Sequence, residues 1–295
     1  MKEYFHDIKD KIDSNFRVML SMRPLPQSGT DYFISEIGLS VTHSSNALEG
    51  NTFTFDETRL LLEKGITSSA RSFREHQDIV GYKKGFDSLY SALKENKAIS
   101  EDFIKALHSF VLAGDSGAGE YRTIYNCVGS LTKIVYTPCP PSKVSSEMQR
   151  YVSELQEDLS SYKNIKTEEN IQWDDLFHTL AKHHIEFEKI HPFIDGNGRT
   201  GRLLLTYEMI SLGLLPVDIG YEERERYNSA LAAYDVKKER STRPESKTEK
   251  MAILLAECEL RSMEIWNKMF FDYRKAQEES NVICEEMQSA RKFRL

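Results

Sequence analysis

A chain of 295 residues with 40% hydrophobic and 29% charged residues has the balance of a soluble globular protein and can bury a substantial core. Its net charge of −7 and isoelectric point near 5.7 argue against general nucleic-acid binding, though not against a local anion site. No apolar run approaches the roughly 18 residues of a membrane span, and residues 1–7 lack the apolar core of a signal peptide. Cys127, Cys139, Cys258 and Cys284 show no metal or disulfide spacing, so reduced thiols and a cytosolic setting are expected.

In chain order, Thr30 and Asp31 are placed to cap a helix whose apolar residues Ile34, Ile37, Val41 and Leu48 keep a roughly helical spacing. That helix ends at Ser45-Asn46-Ala47-Leu48-Glu49-Gly50-Asn51. Ser45 and Glu49, four apart, share a face on which the hydroxyl can hold the carboxylate. The helix dipole disfavours an anion at a C-terminus, which suggests an arginine partner for Glu49, although these residues alone favour a plain surface glutamate before a capping glycine. Thr54 and Glu57 form a capping box ahead of Leu60-Leu61-Leu62 and a stop at Gly65. Residues 75–93 carry Ile79, Tyr82, Phe86 and Leu89 on one stripe, and Ser100 caps a helix that ends before Gly114. Gly117-Ala118-Gly119-Glu120-Tyr121-Arg122 contains a Gly-x-Gly but lacks the Lys-Ser/Thr of a P-loop.

Residues 130–141 break the helical pattern. Leu131, Ile134, Val135 and Tyr136 favour strand, and Pro138, Pro140 and Pro141 suit an edge or turn, which predicts a short hairpin or a β-turn between helices. Ser145 or Ser146 then opens one helix, and Asp174 or Asp175 another that runs to Ile190. His183 and His184 lie in the latter; with no third ligand at a sensible spacing, packing and hydrogen bonding are expected of them.

The richest stretch follows: His191-Pro192-Phe193-Ile194-Asp195-Gly196-Asn197-Gly198-Arg199-Thr200-Gly201-Arg202. Leu203, Leu204, Tyr207, Ile210 and Leu214 then recur at helical spacing up to a stop at Gly213, so the loop opens a helix. Free N–H groups at that N-terminus favour an anion, and Gly196 and Gly198 let the backbone approach it. Arg199 and Arg202, three apart, can grip separate phosphates. Asp195 is a hard oxygen ligand suited to Mg²⁺ beside phosphates, and His191 is a proton acceptor. Further on, residues 221–234 contain Tyr227-Asn228-Ser229-Ala230-Leu231, residues 237–244 read as a charged loop, and Thr248 opens a helix with Ile253, Leu254, Leu260 and Ile265. The charged tail from Phe270 reads as a closing helix or an interaction arm.

The 191–202 stretch resembles the signature of the Fic family, His-Pro-Phe-x-Asp/Glu-Gly-Asn-x-Arg-x-x-Arg, at every defining position. The resemblance implies an all-α domain with a small β-hairpin flap and transfer of AMP from ATP to a Ser, Thr or Tyr hydroxyl of a target protein, the enzyme itself among the targets. His191 would be the base and Asp195 the Mg²⁺ ligand. Gly196, Asn197 and Gly198 would cradle the α-phosphate side, with Arg199 and Arg202 on the β- and γ-phosphates. Ser45-x-x-x-Glu49-Gly50 resembles the family's inhibitory motif, whose glutamate pairs with the second signature arginine, here Arg202. Gly119-x-Tyr121-Arg122 is similar to the turn ahead of the flap, and Ile134, Val135, Tyr136 and Thr137 would register the target by strand pairing. Tyr227 and Leu231 either wall the nucleoside pocket or simply pack into the core.

The implied organisation is an N-terminal extension over residues 1–28, a catalytic domain over 29–234 with its inhibitory helix at about 30–50, and a helical appendage over 235–295. The implied partners are ATP and a protein target, with neither nucleic acid nor membrane, and a homodimer is admitted. Removal of AMP, transfer of another phosphate-containing group, and a catalytically silent nucleotide-sensing module are the alternatives.

Overall fold

The computed structural model describes residues 2–24, 27–67, 70–130, 133–233 and 245–292. Ten helices and one hairpin are found there: α1 Lys2–Ser21, α2 Gln27–Leu48, α3 Phe55–Lys64, α4 Phe73–Lys94, α5 Glu101–Val111, β1 Val128–Ser130, β2 Lys133–Tyr136, α6 Val144–Ser161, α7 Trp173–Ile190, α8 Asn197–Leu212, α9 Arg224–Ala233 and α10 Glu245–Lys292. The helix ends follow local chemistry. Thr54 and Ser72 close reciprocal capping boxes with Glu57 and Glu75. Ser100 caps α5, and left-handed Gly65 and Gly213 end α3 and α8.

Five expectations about helix boundaries change, one being the start expected at Asp174 or Asp175, since α7 already begins at Trp173. Thr30 lies inside α2, which already begins at Gln27, so it is no cap. The helix expected from Glu75 begins at Phe73, because Ser72 supplies the cap and Glu75 is its capping-box partner. A short 3₁₀ turn over Pro141–Lys143 leads into α6 at Val144, ahead of the two serines. The helix expected from Thr248 begins at Glu245 and runs without a break to Lys292. The charged loop expected at 237–244 lies outside the described residues.

Helix α8 is the centre of the packing. Leu203, Leu204, Leu205 and Met209 are almost wholly buried, each stabilising by about 1.5–3 kcal/mol relative to exposure. Asn197, Arg199, Thr200, Arg202, Thr206 and Glu208 are buried beside them. A helix buried all round, polar residues included, has to find partners for those polar groups on its neighbours. Those neighbours are α7, α4, α5 and α2. Helix α10 lies along α1 and α7, and Tyr273 from it reaches Gly29 and Ser28 at the start of α2. The hairpin β1–β2 is antiparallel, with Gly129 opposite Ile134 and an irregularity between Val128 and Gly129.

The two histidines of α7 are held by hydrogen bonds. His183 sits between Glu208 Oε2 of α8 at 2.7 Å and Asp158 Oδ2 of α6 at 2.9 Å. Nε2 of His184 meets the Tyr227 hydroxyl at 2.7 Å. Burial alone would lower the His183 pKa, but Glu208 and then Asp158 outweigh it and hold the imidazole at about 9. A folded-state value above the unfolded 6.5 stabilises fully below about pH 6.5, and that stability is lost as pH rises through about 9. His183→Gln should therefore cost about 3–5 kcal/mol near pH 6, by leaving Glu208 buried without its partner. Melting temperatures of the two proteins should converge as pH passes about 9; a gap of constant size at all pH values would contradict the charged pairing.

Candidate active site

The loop between α7 and α8 is fastened from several sides. The Arg122 guanidinium donates from Nε to the His191 carbonyl at 2.7 Å, and from Nη2 to the Ile190 and Cys139 carbonyls. Its backbone N–H donates to the Pro192 carbonyl at 2.9 Å. From α5, His108 stacks on Phe193 with ring centres 3.6 Å apart. Nδ1 of His108 accepts from the Gly119 N–H, so Nε2 carries the proton and donates to the Asp195 carbonyl at 2.9 Å. Burial holds His108 down to about 4, which keeps that tautomer neutral. Asn197 closes the loop on itself: its side chain accepts from the Phe193 N–H and donates to the Phe193 carbonyl, both at 2.9 Å. The Asn197 amide is thereby used within the loop.

These bonds hold His191 in a conformation that a residue with a side chain rarely adopts, φ 49° and ψ 61°. Its backbone N–H still caps α7 on the Phe187 carbonyl. The ring Nδ1 lies 3.2 Å from the Glu188 carbonyl and 3.4 Å from the Tyr136 hydroxyl, which itself donates to the Glu188 carbonyl. That leaves Nε2 as the nitrogen able to receive a proton. Burial pushes His191 down to about 4. The ring is therefore neutral at pH 7.

At the mouth of α8, left-handed Gly196 (φ 72°) takes the N-cap place, a conformation only glycine adopts freely. Gly198 is bare because the space over it is taken: a Cβ there would collide with Oε1 of Glu49. The Glu49 carboxylate thus lies over the N-terminus of α8, where an anion is favoured by free N–H groups. Oε1 of Glu49 accepts from Arg202 Nη2 at 2.7 Å. Arg202 also donates from Nε to the Ser45 hydroxyl at 2.8 Å and from Nη2 to the Ser45 carbonyl at 2.9 Å. The Ser45 hydroxyl was expected to hold Glu49 directly; it holds Arg202 instead, because the guanidinium reaches between them. The Glu49 side chain keeps 45% of its surface, as a group lining a cleft does. Loss of solvent would raise its pKa, but Arg202, then Arg199 and Arg224, keep it below the usual range. Gly50 turns the chain out of α2 with φ 93°.

Arg199 is buried too, and it is paired with Asp78 of α4. Arg74, one turn earlier, lies 3.3 Å from Asp78, 2.6 Å from Asp115 and 3.4 Å from Asp195. Asp195 itself is 66% exposed at the cleft mouth, and its Oδ1 accepts from the Gly196 N–H. No group of three or more His, Cys, Asp or Glu side chains able to hold a metal occurs among the described residues. An exposed carboxylate next to an anion-favouring helix end fits Mg²⁺ held jointly by Asp195 and the phosphates of a ligand.

The remaining candidates lie around this centre. Tyr227 of α9 is buried, bonded to His184, and has the Arg202 guanidinium 5.9 Å from its ring centre; Leu231 packs half-buried on the core. Ile134, Val135 and Tyr136 belong to β2, whereas Thr137 lies just past its end. Sequence reasoning missed Asp78, Arg74, His108 and Glu188. Each is a polar residue on a helix whose distant partners leave no local signal in the sequence.

Comparison with known proteins agrees with this geometry. Residues 98–209 match the model of the Fic/DOC family. A protein adenylyltransferase fic-1 of Caenorhabditis briggsae is 35% identical over 189 residues, covering 63% of this chain and 34% of that protein. A protein adenylyltransferase Fic of Nematostella vectensis is 28% identical over 229 residues, covering 77% and 49%. The chain thus spans about a third to a half of the length of these relatives. Among solved structures, a Fic-domain-containing signalling protein from Bacteroides thetaiotaomicron superposes with a TM-score of 0.76 at 25% identity, covering 89% of this chain and 97% of that one. Fic-1 from C. elegans shares the fold with a TM-score of 0.70 at 23% identity, covering 94% and 75%. Fold, signature and relatives converge on residues 98–209, which form a domain matching the Fic/DOC family model.

Proposed function

We propose that this protein is an adenylyltransferase that transfers AMP from ATP to a hydroxyl of a target protein, and that Glu49 restrains it. The observation that carries the reading is one cleft containing a neutral imidazole, an anion-favouring helix end and two buried arginines, with a carboxylate seated over that helix end. Residues 29–234 would be the catalytic unit.

In the proposed reaction His191 Nε2 takes the proton of the target hydroxyl. The oxygen attacks the α-phosphorus, and pyrophosphate leaves with the electron pair of the broken bond. Backbone N–H groups of the first turn of α8 stabilise charge on the phosphates, as do Arg199 and Arg202. Asp195 would hold Mg²⁺, which supplies charge neutralisation on the phosphate oxygens. The free edges of the two-stranded hairpin suit a target segment added as a further strand, which aligns main chain without reading much sequence. Restraint follows from charge. Arg202 cannot serve a terminal phosphate while three of its donor contacts go to Ser45 and Glu49, and the Glu49 carboxylate repels an anion arriving at Gly198.

With ATP labelled at the α-phosphate and a cell lysate as the source of target, Glu49→Gly should raise protein labelling about tenfold or more over the parent. His191→Ala placed in that variant should lower it by about 10²–10⁴-fold while nucleotide binding persists. Equal labelling of parent and Glu49→Gly would remove the restraint, and undiminished labelling in His191→Ala would remove the base. Chelation of divalent metal, or Asp195→Ala, should likewise abolish labelling in Glu49→Gly; survival of labelling in both would exclude Asp195-held Mg²⁺.

A further inference from the structure

Glu188 lies one turn before His191 on α7, buried at 5% exposure, and the proposed reaction assigns it nothing. Burying a carboxyl is costly unless it is hydrogen-bonded. Yet Oε1 of Glu188 has no hydrogen-bond partner among the described residues. That oxygen faces the backbone of α8 at Gly201, where any side chain would collide with it. The other oxygen, Oε2, lies 3.8 Å from Nδ1 of His191. An apolar residue would fill this space without the desolvation cost, so packing alone does not account for a glutamate.

The charged and titratable groups around Glu188 come from each neighbouring element. Helix α7 itself offers His191, His184 and Lys189, α8 offers Arg202, and the end of α2 offers Glu49. Tyr136 of β2, Tyr151 of α6 and Tyr227 of α9 complete the surroundings. Arg202 is already engaged by Ser45 and Glu49, so the nearest group that gains charge during the reaction is the His191 ring. Burial pushes the Glu188 carboxyl up to about 8; Arg202 and Lys189 oppose the rise and Glu49 reinforces it.

We propose that Glu188 is a positioning residue for His191: its carboxylate, 3.8 Å from Nδ1, reinforces the tautomer that the Glu188 carbonyl already sets and stabilises the imidazolium that results. The role rests on the adenylyltransferase reading given above. In the step it serves, the hydroxyl proton moves to Nε2, the oxygen–phosphorus bond forms and the bond to pyrophosphate breaks. Glu188 exchanges no proton in that step and contributes charge alone. A ring held down to about 4 by burial is a weak base at neutral pH, and an adjacent carboxylate is the group that strengthens it. The benefit therefore appears as Glu188 ionises.

The test uses the full chain carrying Glu49→Gly as parent and adds Glu188→Gln, which keeps the shape and removes the charge. The ring nitrogens of His191 are followed by ¹⁵N NMR, and kcat for AMP transfer is measured, from about pH 6 to about 10 across the Glu188 transition. In the parent, the ring shifts and kcat should change together with a shared midpoint below about 8, because Glu49 no longer holds the Glu188 carboxyl up, kcat rising about tenfold. In Glu188→Gln both changes should vanish while KM for ATP stays the same. The same profile in both proteins, or an equal loss of kcat at every pH, overturns the proposal. The parent alone is decisive should the variant not fold, because absence of a His191 ring transition shared with kcat between about pH 6 and about 10 overturns it as well. A parent without AMP transfer would instead sink the proposed activity, and the His191 titration would still decide the role of Glu188.

Discussion

The arrangement of the cleft depends on the guanidinium of Arg202. It is 6% exposed on a helix buried all round, and a buried cation has to be paired. The end of α2 supplies that pairing through the Ser45 hydroxyl, the Ser45 carbonyl and the Glu49 carboxylate. A carbonyl at a helix C-terminus is a natural acceptor for a cation. The same contacts that satisfy Arg202 therefore dock α2 on α8 and set the Glu49 carboxylate over Gly198. One set of bonds thus both docks α2 and places Glu49, and any anion that took Arg202 would have to replace them.

Around that pairing, the loop from His191 to Gly196 is held by groups from distant parts of the chain. Arg122 grips its start, His108 supports its middle, and Asn197 ties its end back to Phe193. Such fastening offsets the cost of a left-handed His191 and fixes the ring before any ligand arrives. Both histidines of α7 find partners on other helices, His183 on Glu208 of α8 and His184 on Tyr227 of α9. Glu188 keeps one oxygen without a hydrogen bond among the described residues, and its other oxygen lies 3.8 Å from the His191 ring.

Much of this was legible in the order of residues. The capping residues Thr54 and Ser100, the stops at Gly65 and Gly213, and the opening of α8 follow from chemistry within a few positions. The resemblance to the inhibitory motif, more than the helix end itself, gave Glu49 an arginine partner, and Arg202 is bonded to it across 153 positions of sequence. Thr30 failed as a cap because three residues ahead of it continue the helix, a matter of packing by α2 against the rest. The network of Asp78, Arg74 and Asp195 left no local trace, since a charged residue on a helix looks the same whether it meets water or an arginine from elsewhere.

Sequence by itself determined the helical class, the loop that opens α8, and the chemical character of His191, Asp195, Arg199 and Arg202, because those depend on neighbours within one or two turns. Tertiary structure decided which groups meet. It directed Ser45 to Arg202 rather than Glu49, lowered His191 by burial, and set Glu188 against its ring. Distances through space and loss of water govern those outcomes, and neither is encoded by spacing along the chain.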